Sequence, residues 1–445
     1  MIESILIKAI DIVFEDAVKN GDIYIENGKI IDIGPSLNYS AEKEINGKGL
    51  TALPGVIDPH VHFREPGAEW KETIYSGSKA AVSGGVTSFF DMPNTKPSCI
   101  TEKTIQQKKD IASASSLINY NFFIGATHTN LEELNKTENI PGIKIFMGSS
   151  TGNLLVDDME SLTSIFSTGS RLIAIHSEDE PTIKKNEERT DLPDNVFAHN
   201  MIRTPEAAVK CTNKATQLAL KHNRRLHICH VTTKDEVGIL RNLRAGLPDE
   251  KKYLITGEVS PQHIFLHLPD IYDNLGTFGQ INPPLRHVEH CLGLWEGLKD
   301  STLSFIGTDH APHTVDEKKK PYGEAPSGMP GVETSLPLLL NQVDKGNCTL
   351  QDISNWMSGN QARLYNIQNK GFLKVGYDAD IVLVDLKKKK KISNETVVSK
   401  CGWTAFDGTE CTGWPVATLV NGQVVFREGD FFEDVKGKEI QIRDF

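Results

Sequence analysis

The chain has 445 residues, 38% of them hydrophobic and 24% charged, and a formal net charge of −11. That length allows a full core and more than one domain, and the acidic balance excludes the basic face of a nucleic-acid binder. Its seven cysteines, Cys99, Cys211, Cys229, Cys291, Cys348, Cys401 and Cys411, are scattered and form no C-x-x-C pair, which excludes a disulfide scaffold and fits a reducing compartment.

The first residues, "MIESILIKAIDIVFEDAV", carry acids inside their apolar pattern and do not resemble a signal peptide. No run of about 18 apolar residues occurs anywhere, so no membrane span is expected and the cytoplasm is the expected location. The stretches "SILIKAIDIV" and "GDIYIENGKIIDIG" alternate apolar and polar residues, and "ENGK" carries the signal of a hairpin turn. From 51 to 365 the texture changes. Eight short apolar runs follow: "LTALPGVIDPHVH", "GVTSFFDMPN", "NYNFFIGAT", "GIKIFM", "RLIAIHSE", "RLHICHV", "YLITGEVS" and "LSFIGTDH". Amphipathic segments such as "WKETIYSGSKAAVSGG" and "TPEAAVKCTNKATQLALKHN" separate most of them. Strand and helix in alternation imply a parallel sheet, and eight units over this length predict an α/β fold, a (β/α)8 TIM barrel. An open doubly wound sheet is the alternative. After 366 the strands return as "GYDADIVLVDL" and "VATLVNGQVVFREG", the second again turned by Asn-Gly. The lysine run Lys387–Lys391 reads as a solvated turn rather than a binding patch. Residues 1–50 and 366–445 are therefore expected to form one small β-sandwich domain around a barrel domain at 51–365.

The residues able to hold a metal fall in one part of this pattern. In a strand, side chains at i and i+2 share a face, so His60 and His62 of "DPHVHFREPG" present two imidazoles side by side. Lys144 lies in the fourth run, and His176, His230 and Asp309 end the fifth, sixth and eighth. Barrels build their active sites at the C-terminal ends of the strands. Any one of these histidines alone reads equally as a satisfied polar group; their convergence on one face points to a metal centre. His227 falls on the opposite face of its strand and His310 follows Asp309 directly; both read as structural. His222, His263, His267, His287 and His290 receive no role. Lys144 has two readings: an ammonium in an ordinary salt bridge, or an amine that burial keeps neutral. A neutral amine can add CO2, giving a carbamate that reaches two divalent ions. Arg64 can grip a carboxylate with two parallel hydrogen bonds, or it can pair with Glu65 or Glu69.

The motifs "GVIDPHVHFREPG", "DMPNT", "GIKIFMGSS", "HSEDE", "HVTT", "INPPLR", "TDHAPH" and the closing "GFLKVGYDADIVLVD" resemble the amidohydrolase superfamily, and within it the dihydroorotase family. The resemblance runs through most of the chain. It implies two zinc ions, with His60, His62 and Asp309 on the first, His176 and His230 on the second, and carboxylated Lys144 across both. It implies Asp309 as the catalytic base. It adds Asn94 and His313 to Arg64 as holders of a ring carboxylate, Asn282 as a contact to the ring, and the backbone of "APSGMPG" (325–331) as pocket wall. The implied reaction is the reversible closure of N-carbamoyl-L-aspartate to L-dihydroorotate in pyrimidine synthesis, on a small-molecule substrate and in a possible homo-oligomer. Other readings remain: an allantoinase or hydantoinase, whose relatives lack the arginine, or a non-catalytic scaffold, for instance one that assembles with aspartate transcarbamoylase.

Overall fold

The computed structural model describes residues 4–149 and 154–443. β1 (Ser4–Val13), β2 (Val18–Glu26) and β3 (Lys29–Gly34) form an antiparallel meander. Asn27 and Gly28, with φ of 50° and 81°, take the left-handed conformations that a two-residue hairpin turn requires of both central residues. β4 (Lys43–Asn46) and β5 (Thr51–Pro54) lie parallel to β1. Thr51–Pro54, read above as the head of the first barrel run, thus belongs to the terminal sheet.

The barrel strands follow in chain order: β6 (Val56–Val61), β7 (Val86–Asp91), β8 (Asn119–Phe122), β9 (Ile124–Gly125), β10 (Ile143–Phe146), β11 (Ile173–His176), β12 (Leu226–Ile228), β13 (Ile255–Val259) and β14 (Phe305–Ile306). All pair in parallel, β6 to β8 as one sheet and β9 to β14 as another. β8 and β9 are separated by Phe123 alone. Val61 forms a parallel bridge with His310, and the His62 N–H donates to His310 O at 2.8 Å. Asp58 Oδ1 also accepts the Thr308 N–H at 3.0 Å. The segment after β14 is thereby tied back to β6, and the expected runs stand around one ring. Helices lie between them, such as Ile74–Ser83, opened by a Thr73/Ser76 capping box, and Pro205–His222, ended by Asn223 at φ 49°.

β15 (Ile381–Lys391) pairs antiparallel with β5 and with β16 (Glu410–Val420); β17 (Gln423–Arg427) and β18 (Asp430–Phe431) complete the edge. Among the described residues the two ends of the chain therefore share one nine-stranded sheet. The lysine run is not a turn. It continues β15, with Lys389–Lys391 paired against Thr412–Glu410 and their side chains exposed. The strand outlasts the core, so both its faces meet water there, and a two-faced polar strand has no apolar alternation to announce it.

Among the described residues, two hydrophobic cores are the largest. One packs barrel residues such as Phe89, Phe122, Ile145, Ile175 and Ile228 against helix residues such as Val82 and Leu336. The other lies within the terminal sheet, with Ile5, Ile7, Ile23, Ile25, Ile381 and Leu419. Residues near the C-terminus return to the barrel, where Ile440 N–H donates to Tyr120 O at 2.9 Å. The cysteines among the described residues are free and buried. Among the described residues no helix is long and apolar enough to cross a membrane.

Candidate metal centre and substrate pocket

Parallel strands deliver their last residues to one rim. His60 lies in β6 and His62 just beyond it, with ring centroids 5.4 Å apart. Lys144 stands in β10, and His176 ends β11 in register beside Phe146. His230 follows β12 by two residues and Asp309 follows β14 by three. One cavity is lined by His60, His62, Lys144, His176, His230, Asn282 and Asp309, together with Ser327 and Gly328 of the glycine-rich loop. A larger cavity, about 490 Å³ between Phe14, Pro54 and Phe372, contains none of these residues.

The ligand atoms of His60, His230 and Asp309 lie within 4.8 Å of one another. Asp309 Oδ1 is 3.0 Å from His62 Nε2 and 3.4 Å from His60 Nε2. His176 Nδ1 is 3.2 Å from His230 Nε2, and His230 Nδ1 is buried with no hydrogen-bond partner. Lys144 Nζ is buried beside Cys229 Sγ at 3.0 Å and lies 5.3 Å from the Phe146 ring centre. Arg64, His230 and Asp309 have φ of 61°, 36° and 47°. Such left-handed backbone costs about 1–3 kcal/mol per residue and persists where the surroundings overdetermine it, commonly at functional sites. Here Thr308 is held by Asp58, and His310 Nδ1 accepts the N–H groups of Gly331 and Val332.

The electrostatics fit a cation. Burial alone would raise the Asp309 carboxyl, but His60, then His62 and His230, hold it well below the usual carboxylate range. Burial holds His62 down to about 4 and His230 well below the ordinary histidine value, so both imidazoles are neutral, as metal ligands must be. Burial also disfavours a charge on His60, yet Glu258 and Asp309 outweigh it and push the group up to about 10. Two buried carboxylates therefore draw positive charge to this point.

Two carboxylates behind the histidines were not foreseen from the sequence. Glu258, in β13, accepts from His60 Nδ1 at 2.5 Å and from His227 Nε2 at 3.2 Å. Glu178 accepts from His176 Nε2 at 2.8 Å and pairs with Arg203. Each bond ties up one ring nitrogen and leaves the other free for a metal. His62 is treated alike: its Nδ1 donates to Asn94 Oδ1 at 2.7 Å. His62 and His176, fixed in this manner and kept neutral by burial, are suited to a divalent ion, and His60 would give up its proton to one.

A second cavity adjoins the first, lined by Arg64, Lys71, Asn94, Lys96 and His313. Arg64 Nε donates to Pro312 O at 3.0 Å, and Nη2 lies 3.2 Å from His313 Nε2. Glu65 and Glu69 are engaged elsewhere, accepting the N–H groups of Ile74 and Gly67. Burial lowers the Arg64 pKa to about 10, against the pull of Asp309, and leaves it charged at neutral pH. Asn94 lines this second cavity and reaches His62 through its Oδ1, so it joins the two cavities. Asn282 stays on the metal side, with its Oδ1 buried and without a partner.

A metal-ligand rim on a parallel barrel, with a β sheet from both termini, is the architecture of one family, and the chain belongs to it: residues 51–425 match the amidohydrolase family. Within it, the dihydroorotase of Methanosarcina acetivorans is 36% identical over 95% of this chain and 92% of its own. The dihydroorotase of Pyrococcus horikoshii is 35% identical over 96% of this chain and 93% of its own. Among solved structures, the L-hydantoinase (dihydropyrimidinase) from Arthrobacter aurescens superposes with a TM-score of 0.92 at 27% identity, covering 99% of this chain and 100% of that one.

Proposed function

We propose that the chain is a dihydroorotase, opening the ring of L-dihydroorotate to N-carbamoyl-L-aspartate and closing it in the biosynthetic direction of pyrimidine synthesis. The observation that carries the reading is a charged, buried Arg64 beside His313, one residue layer from the histidine rim. A neutral hydantoin or dihydropyrimidine ring offers carbonyl oxygens but no negative charge for that guanidinium. Dihydroorotate offers a carboxylate. In this reading the expected catalytic domain, 51–365, cedes Thr51–Pro54 to the β domain formed with 1–50 and 366–445, and the cytoplasm is the compartment.

His60, His62 and Asp309 would hold one divalent ion and His176 and His230 a second, with Lys144, as its carbamate, reaching both. Such a zinc pair supplies Lewis acidity at the amide carbonyl and an acidified water. The chain's own residues do the rest. Arg64, Asn94 and His313 hold the ring carboxylate, which fixes the angle at which the ring meets the histidine rim. The unpartnered Asn282 Oδ1 accepts a ring N–H. In hydrolysis, water oxygen adds to the amide carbon while Asp309 takes a proton at a carboxylate oxygen. Asp309 then delivers that proton to the ring nitrogen as the C–N bond breaks. One water is consumed, and the reverse steps release it.

The test is direct turnover. Zinc-replete protein is incubated with L-dihydroorotate, hydantoin, dihydrouracil and allantoin in parallel, and loss of each ring amide is followed. Loss of dihydroorotate alone is expected. Turnover confined to the neutral rings would transfer the chain to the hydantoinase reading that the superposition leaves open, and inactivity on all four, with metal present, to the scaffold reading.

A further inference from the structure

We propose that Lys71 fixes the tautomer of His313 and thereby makes the pocket select a ring that carries an anion; this rests on the dihydroorotase reading and adds a positioning residue to it. Lys71 Nζ lies 2.8 Å from His313 Nδ1 and 3.0 Å from Glu317 Oε1. Burial lowers the Lys71 pKa, the Glu317 carboxylate opposes this as counter-ion, and the amine stays an ammonium, which can only donate. The imidazole must therefore accept at Nδ1. His313 is neutral, since burial first, then Arg64 and Lys71, hold it well below the ordinary histidine value. A neutral imidazole that accepts at Nδ1 carries its proton on Nε2. That Nε2–H donates to Ser327 O at 3.0 Å.

Arg64 Nη2, also a pure donor, lies 3.2 Å from the same Nε2. Two donors that face each other repel, and a carboxylate oxygen that accepts from both removes the repulsion. The other tautomer shows what Lys71 prevents. Glu317 Oε2 lies 3.9 Å from His313 Nδ1. Without the ammonium, Nδ1 takes the proton and serves Glu317, and Nε2 becomes an acceptor for Arg64. The pocket would then lose one Arg64 donor and turn a lone pair toward the incoming carboxylate.

The experiment compares steady-state hydrolysis of L-dihydroorotate by zinc-replete wild type, Lys71→Met, Lys71→Arg, His313→Ala and the Lys71→Met/His313→Ala pair. Loss of one charge-assisted hydrogen bond corresponds to a KM about tenfold higher in Lys71→Met, with kcat changed less than about threefold. Lys71→Arg, whose guanidinium also donates to Nδ1, restores most of the loss. Because Lys71 acts through the imidazole, its substitution adds less than about twofold once His313 is alanine. An unchanged KM in Lys71→Met, no rescue by Lys71→Arg, or effects that multiply in the pair would overturn the proposal. The tautomer is also read without any variant, from the 15N shifts of His313 in wild-type protein: a proton on Nε2 is expected, and one on Nδ1 overturns it. Wild type inactive on dihydroorotate but active on neutral rings would reject the dihydroorotase reading instead, and the 15N measurement would still decide the tautomer.

Discussion

Asp309 is asked to do two things, and its surroundings show how one carboxylate serves both. Its Oδ1 lies within reach of two histidine nitrogens, and the surrounding histidines, His60 foremost, keep it ionised against burial, as a divalent ion held by them would. An ionised carboxylate can ligate a metal through one oxygen and take a proton on the other. Asp309→Asn keeps the shape and the ligating oxygen but loses the proton acceptor. At saturating zinc, kcat for dihydroorotate should fall about 10²- to 10⁴-fold, the usual worth of a positioned acid–base group. Bound zinc, counted by elemental analysis, should stay near the wild-type level. Undiminished turnover would remove the base assignment. Arg64 has a simpler task, and Arg64→Lys tests it. A lysine retains the charge but not the planar two-pronged donor set. A KM for dihydroorotate at least about tenfold higher is expected; an unchanged KM would mean that the carboxylate binds elsewhere.

The strands explain why part of this site was legible in the sequence and part was not. His60 and His62 announce themselves through the period of a strand, and His176, His230 and Asp309 through their position at the ends of apolar runs. Lys144 was visible as a charge inside an apolar strand. Glu258 is the same kind of signal, an acid inside "YLITGEVS", but its use depends on which strand lies across from it. β13 pairs with β12, and β14 leads back to β6, so one carboxylate reaches both His227 and His60. Such pairing is not local and no spacing reveals it. His227, expected on the opposite strand face, instead reaches the carboxylate that also meets His60 and packs on Phe305. Glu178 did carry a local signal, since it stands two residues after His176, the same offset that marked His60 and His62. The expected barrel boundary at 51 falls too early for a related reason: Thr51–Pro54 is as apolar as a barrel strand, and only its partners β1 and β15 assign it to the terminal sheet. If Glu258 orients His60, Glu258→Gln should weaken zinc binding about 10- to 100-fold, the usual effect of losing a carboxylate behind a metal-bound histidine. Chelator competition on the purified protein measures this without recourse to activity. Wild-type zinc affinity in the variant would reduce Glu258 to a packing role.

At the scale of the whole molecule, the barrel and the terminal sheet are joined by a buried charged network. Asp380, just before β15, accepts from Lys370 Nζ at 2.6 Å, from Asn119 Nδ2 at 3.0 Å and from the Asn421 N–H at 2.7 Å. Asn119 belongs to barrel strand β8, and Asn421 to the turn between β16 and β17. Asn421 Nδ2 donates back to Asn119 Oδ1 at 2.8 Å, which closes the loop of contacts. Lys370 is buried too and also meets Asp378 at 2.9 Å. A buried pair of this kind adds little over an apolar pair of equal volume, but removal of one partner strands the other charge away from water. Lys370→Met should therefore cost about 3–5 kcal/mol in denaturant unfolding, the usual penalty for a buried charge left alone. The loss comes from stranded charge, so it is reversible by chemistry rather than by shape. Adding Asp380→Asn removes the charge and keeps one oxygen acceptor for the Asn421 N–H, at the expense of the bond from Asn119 Nδ2, and the double variant should recover part of the loss. Should the double variant prove less stable than Lys370→Met alone, the network would owe its stability to the geometry of the carboxylate and not to the balance of charge. Because Asn119 sits at the opposite end of its strand from the catalytic rim, turnover of the folded fraction should stay near wild type in both variants. Thermal unfolding of the sheet and the barrel should then separate only if this joint, rather than either core, holds them in one transition.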